Sequence, residues 1–309
     1  MKNQFFFYFL CMLATITWSQ QDVQYTQYMY NMNVINPAYT TDNLGVINTG
    51  LLYRKQWVNV DGAPSSASLF AHMPIGDKLE VGFTLLSDDI GDIVKEHNFS
   101  VDLAYKLQVG HFSKLSFGMK AGVNILDVNF DNLNFESGAA SSDPNFNKNI
   151  NNTFINIGVG AFYYTDDFYL GLSIPHLINT EYLNKKESLT KIAEESHLFI
   201  TSGYIYRLNE TFRLKPNVML KAVKGAPLIV DVNLNALYNE KFEFGLGYRL
   251  NDAITAMVNL KVTPNLRIGY SYDYTTTKLD TFSTGSHELL LLYDINIFSN
   301  GFNKSPRFF

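Results

Sequence analysis

The feature that most constrains this chain is a two-residue alternation that runs through segments of about ten residues. In 228–238, Leu228, Val230, Val232, Leu234, Ala236 and Tyr238 share one side, and Ile229, Asp231, Asn233, Asn235 and Leu237 take the other. In 241–250, Phe242, Phe244, Leu246, Tyr248 and Leu250 oppose Lys241, Glu243, Gly245, Gly247 and Arg249. In 266–274, Leu266, Ile268, Tyr270, Tyr272 and Tyr274 oppose Arg267, Gly269, Ser271 and Asp273. Successive strand side chains point to opposite faces, so each segment has an apolar wall and a polar or glycine wall. A soluble antiparallel sandwich shows the same alternation. Segment length argues against it: a strand of a soluble sheet has 5–6 residues, and a tilted membrane strand about 9–11.

Fourteen such segments are expected, at about 45–57, 65–74, 78–87, 95–108, 113–127, 153–165, 168–175, 195–208, 211–223, 227–238, 241–250, 252–262, 265–275 and 286–298. An even number suits a single-chain outer-membrane barrel. The connections alternate in length. Tight turns near Gly76, Gly110, Asp166, Asn209, Asn239 and Thr263 occupy every second one, and the long ones (128–152, 176–194, 276–285) fall among the others. Such barrels have short periplasmic turns and longer external loops. Strand parity then places the N- and C-termini in the periplasm. Tyr and Phe crowd the strand ends, as Tyr53 with Trp57, Tyr163 with Phe168 and Tyr204 with Tyr206, in the manner of interfacial girdles. The fold expected is all-β: a single antiparallel transmembrane β-barrel of about 14 strands in the outer membrane.

Composition agrees. The chain is 15% aromatic and 17% charged, with 19 Tyr and 24 Phe, whereas charge in soluble domains is nearer 25%. Residues 1–19 carry Lys2, an apolar run from Phe5 and a Thr17–Ser19 small-residue pair, and read as a signal peptide. Cys11, the only cysteine, would leave with it. The remaining 23 basic and 29 acidic residues make a nucleic-acid binder a poor expectation. The domain expectation is 1–19 signal peptide, 20–44 periplasmic N-terminal segment, 45–298 barrel and 299–309 tail.

The polar wall carries both signs. Glu80, Asp102, Lys106, Lys120, Lys221, Asp231, Glu243, Arg249, Lys261, Arg267, Asp273, Glu288 and Asp294 fall on it. Interleaved signs neutralise each other locally, which favours a largely filled barrel over an open pore.

Chemistry is sparse. His72, His97, His111, His176, His197 and His287 form no metal-ligand spacing and read as strand-end or loop polar residues. Ser286, His287 and Glu288 are consecutive, but in a strand His287 points away from both neighbours, so no relay forms. Asp143, Asn145, Asn147 and Asn149 begin like an EF-hand loop. Lys148 then replaces the required glycine, and Phe154 stands at the bidentate Glu position, so a polar external loop is expected. No catalytic, cofactor or metal residue is expected, and the chain does not read as an enzyme.

Three separated blocks carry a resemblance. They are Gln24–Thr40 (QYTQYMYNMNVINPAYT), Tyr53–Ile75 with its R-x-Q-W and D-G-A-P elements, and 270–295 with Ser-Tyr-Asp-Tyr and Gly-Ser-His-Glu. Together they resemble the PorP/SprF family of outer-membrane proteins of type IX secretion and gliding systems. The resemblance implies a non-enzymatic role in binding secreted surface proteins that carry a C-terminal targeting domain, or the periplasmic components of the same system. The alternative is a passive channel or transporter for hydrophobic or small polar solutes. The block before the first strand has no alternation. It is expected to enter from the periplasm and to fill the lower barrel mouth or meet a partner; the plain alternative is a disordered lead-in. Pro37 should stop any helix at about Asn36. Tyr25, Tyr28, Tyr30, Asn36, Pro37 and Tyr39, with Asp61 and Gly62 of the D-G-A-P turn, are the expected partner-binding residues.

Overall fold

The structure, a computed structural model, describes residues 23–91, 93–130, 149–178 and 196–297, with the backbone of four two-residue strands in the long connections. Residues 1–19, expected as a signal peptide, the expected tail 299–309, and Asp143, Asn145, Asn147 and Lys148 lie outside the described residues.

Among the described residues fourteen long strands form one antiparallel sheet. They are β1 (Val46–Lys55), β2 (Ser65–Ile75), β3 (Leu79–Ile90), β4 (Val94–Gln108), β5 (Lys114–Val128), β6 (Ile150–Tyr164) and β7 (Phe168–Ile174). The series continues with β8 (His197–Tyr204), β9 (Phe212–Val223), β10 (Ile229–Tyr238), β11 (Phe242–Arg249), β12 (Ala253–Lys261), β13 (Leu266–Thr275) and β14 (Ser286–Asn296). Each pairs with its neighbour in sequence, and β1 pairs with β14 from Val46–Asn296 to Lys55–His287. The sheet therefore closes and has no free edge, the condition for a strand-built membrane wall. β8 is interrupted at Ile205 and resumes over Tyr206–Arg207. The β10–β11 turn shows why the connections on one rim can be so short. Asn239 and Glu240 both adopt positive φ (51° and 54°), which lets a loop of only residues 239–241 reverse the chain between the paired Tyr238 and Phe242.

The alternation sorts the two faces as expected. Val232, Leu234, Phe244, Leu246 and Ile268 are exposed on the outside, and Asp231, Asn233, Glu243 and Arg267 are buried inside. One rim carries the short turns together with Val46 and Ile297. Ile297 donates its N–H to Gly45 there, at 2.8 Å. The other rim carries the longer connections. Two histidines depart from expectation: His72 and His197 are strand residues buried in the interior, where His72 Nδ1 lies 2.9 Å from Glu80. His287 points outward to the Tyr270 hydroxyl at 2.6 Å, while Ser286 and Glu288 point inward.

Candidate functional site: a plug threaded through the lumen

The segment before β1 fills the barrel. Tyr28–Tyr30 form one 3-10 turn and Met32–Ile35 one α-helical turn. The helix ends where Pro37 requires: Asn36 is already extended (φ −129°, ψ 110°). Tyr25, Thr26, Gln27, Tyr28, Met29 and Tyr30 are buried, as are Asn36, Ala38, Tyr39, Thr40 and Thr41. Their apolar atoms pack on Leu52, Phe70, Phe162, Tyr169, Met219 and Leu290, which the wall turns inward. Among the described residues the larger hydrophobic cluster thus lies between plug and lumen wall. Each fully buried side chain of this size contributes roughly 1.5–3 kcal/mol.

Three sets of polar contacts hold the plug along its length. At the long-loop rim, Glu288 accepts the backbone N–H groups of Thr26 and Gln27, each at 2.8 Å. The Thr26 hydroxyl donates to Asp273 at 2.7 Å, and Arg54 joins both carboxylates, at 2.8 Å to Asp273 and 3.3 Å to Glu288. In the middle, the Tyr28 hydroxyl donates to Asn217 at 2.6 Å. The Tyr30 hydroxyl accepts from Lys215 at 3.1 Å, and the Tyr30 ring lies 5.3 Å from the Lys215 ammonium and 5.6 Å from the Arg267 guanidinium. Glu243 neutralises both cations, at 2.8 and 3.3 Å. At the short-turn rim, Glu80 accepts the Thr41 N–H at 2.9 Å, and Asp42 pairs with Lys106 at 3.1 Å and Lys114 at 3.0 Å.

The Asn-Pro-Ala element has its own seat. Gly118 on β5 and Gly160 on β6 are register partners, and Gly171 on β7 lies close by. All three face inward. A Cβ at Gly118 would collide with the Pro37 carbonyl, and one at Gly160 with the Asn36 side chain. The wall can approach the plug backbone here only because these positions lack a side chain. Asn36 Nδ2 donates to the Ala161 carbonyl at 3.1 Å, and Asn36 Oδ1 accepts the Ala38 N–H at 2.9 Å. Ser173 donates to the Ile35 carbonyl at 2.9 Å, and Ser116 donates to the Ala38 carbonyl.

These placements correct the expected layout. Strand parity locates Val46 but not the chain before it, which runs the length of the lumen. Val23 lies at the long-loop rim beside Trp57, Pro227 and Ser286, opposite the rim that holds Ile297. Residues 23–44 are thus not a segment beneath the barrel, and Val23 and Ile297 do not share a side. Tyr25, Tyr28, Tyr30, Asn36, Pro37 and Tyr39 come together, but against the chain's own wall. Asp61 and Gly62 are exposed on the β1–β2 connection and join none of them. Alternation alone could have found Lys215, which shares a face with Asn217 and Lys221, and Arg54, which lies opposite in sense to the outward Tyr53.

Above the plug, at the long-loop rim, is a cavity of about 590 Å³ lined by Gln24, Arg54, Trp57, Asp88, Asp252 and Asp273, among others. Trp57 is held at φ 40°, and its N–H is bonded to Ser286 Oγ at 3.1 Å. The R-x-Q-W element therefore lines this mouth.

The chain matches the family described as "Type IX secretion system membrane protein PorP/SprF" over residues 17–293. It belongs to that family. The match covers plug and wall together, from before Val23 to the last strand. The family places the chain in a membrane-bound secretion system, with the interactions with membrane and secretion machinery that this implies. Among solved structures, a TodX ΔS2S3 mutant, titled a monoaromatic hydrocarbon channel, is similar at TM-score 0.52 and 10% identity. The match covers 86% of this chain and 94% of that one. A Pseudomonas aeruginosa FadL homologue is similar at TM-score 0.49 and 10% identity, covering 88% and 94%. At this identity the TodX likeness is one of fold, a closed β-barrel. A search of curated proteins finds no match.

Proposed function

We propose that this PorP/SprF family member is a non-enzymatic component of type IX secretion that binds secreted surface proteins or the machinery that delivers them. In this reading the long-loop rim faces outside, the short-turn rim faces the periplasmic components, and the plug is the part on which the two sides act. Cargo with a C-terminal targeting domain is the partner at the outer rim.

The observation that carries the reading is the plug. It spans the lumen and is held at each end by a wall carboxylate, Glu288 and Glu80, on its backbone N–H groups. A free passage for solutes would need this segment displaced. The rival reading is a passive channel for hydrophobic or small polar solutes, as TodX is a monoaromatic hydrocarbon channel. A lumen lined by buried Arg54, Lys215, Glu243, Asp273 and Glu288 is a costly path for an apolar solute.

The test combines two measurements. Deleting the gene and cataloguing surface-exposed proteins should remove one or a few of them, with restoration by the wild-type gene. Purified barrel in planar bilayers should be nearly silent. An unchanged surface inventory with steady wild-type conductance would replace this reading with the channel.

A further inference from the structure

We infer that the outer wall holds one long-chain membrane lipid in a groove across β10–β14 and β1. The groove encloses about 990 Å³ and is almost entirely apolar. One row of its lining follows the hydrogen-bonded register across six strands: Ala236, Phe244, Val258, Tyr270, Leu289 and Tyr53. A parallel row beside it runs from Tyr238 to Leu51.

On the inner side, Gly245 and Gly247 on β11 and Gly269 on β13 leave room for their cross-strand neighbours Asn235, Asn233 and Asn259, and Gly269 also for Gln27 of the plug. On the outside, Ala236 is small where its row neighbour Phe244 is large, and the outward rings of Phe244, Tyr270 and Tyr53 stand around the depression.

The occupant follows from position and shape. The groove belongs to the lipid-facing belt, continuous with exposed Leu234, Leu246 and Ile254, so hydrocarbon is the medium that meets it. Six strands at about 4.8 Å spacing make a trough roughly 24 Å long, the length of an extended long acyl chain. Strand tilt makes the row climb the wall from near the short-turn rim at Ala236 to near the long-loop rim at Tyr53. A chain lying there leans along the barrel, with its apolar length on the floor and tyrosine rings beside it.

The experiment is native mass spectrometry of the intact mature barrel, extracted from membranes and exchanged into a delipidating detergent. Wild type should retain one lipid mass per barrel. After full delipidation, palmitoyl-oleoyl phosphatidylethanolamine should rebind with saturation at one. Ala236→Trp fills the hollow and should weaken rebinding at least ten-fold. The gentler Ala236→Leu should weaken it less, and serves if the Trp variant assembles poorly. Val101→Trp, on the outward face of β4 and away from the groove, should rebind as wild type does. Equal rebinding by wild type and both Ala236 variants, graded non-saturating uptake, or a lipid-free dimer in place of the adduct would each overturn the inference.

Discussion

Glu288 Oε2 accepts the Thr26 backbone N–H at 2.8 Å across 262 residues of sequence. Its second oxygen takes the next N–H, that of Gln27, also at 2.8 Å. One carboxylate of the last strand thus satisfies two consecutive donors of the plug, in an environment where an unmade bond costs the full desolvation of the group. Arg54 of the first strand closes the set. Plug, first strand and last strand meet at the seam where the barrel closes.

Glu288→Ala should release the upper half of the plug. It leaves Asp273 as the carboxylate that pairs with Arg54 and orphans two N–H groups, a loss of about 3–5 kcal/mol for a broken buried pair. A Gln27→Cys reporter should be inert to maleimide in the otherwise wild-type barrel and reactive when Glu288→Ala is added, with heat-modifiability retained. An inert reporter in both would show that Glu288 does not hold this end.

Gly160→Val should unseat Asn36 and Pro37. The strand backbone tolerates valine, since Gly160 does not need a positive φ, but the side chain occupies the place of Asn36. The expected result is an assembled barrel with conductance well above wild type in planar bilayers. Unchanged conductance with wild-type thermal stability would mean that the notch does not position the plug.

Val232→Arg and Asn233→Arg should fail differently. Val232 faces lipid, where arginine at the midplane costs about 2–4 kcal/mol, so the yield of heat-modifiable barrel should fall. Asn233 faces the filled lumen and bonds Asp231 at 2.7 Å. Its arginine should insert with the membrane band intact and displace the plug instead, giving a conducting barrel. Equal yields and equal conductance for the two would contradict the two-faced wall.

Orientation is read from single cysteines on opposite rims. Asn59→Cys, on the exposed β1–β2 connection, should label from outside intact cells, and Asn239→Cys, on the β10–β11 turn, should not. The reverse pattern would invert the barrel and move the Arg54–Glu288 end of the plug to the periplasm.

The local sequence determined the wall. A side chain in a strand has only two directions, so once Val232 is outside, Asp231 and Asn233 are inside, and the count of strands and the alternation of short and long connections follow from the same pattern. It also determined the helix stop before Pro37, because proline restricts the residue before it. The run Leu289–Leu292 shows where this reading ends. Four identical residues carry no alternation, yet Leu289 and Leu291 face out while Leu290 and Leu292 pack inside. Their phase comes from the inward Glu288 and Asp294 on either side, and the apolar plug is what makes leucine a fit residue on the inner face. The plug is the larger case. Its partners, Glu288, Asn217, Lys215, Ser173, Gly160 and Glu80, are scattered over five strands, and no periodicity in 23–43 points to any of them. They become neighbours only when the sheet closes, since closure brings the inward faces of distant strands around one axis. Tyr28 and Tyr30 look like exposed contact residues in the sequence because nothing local buries them; the closed barrel does.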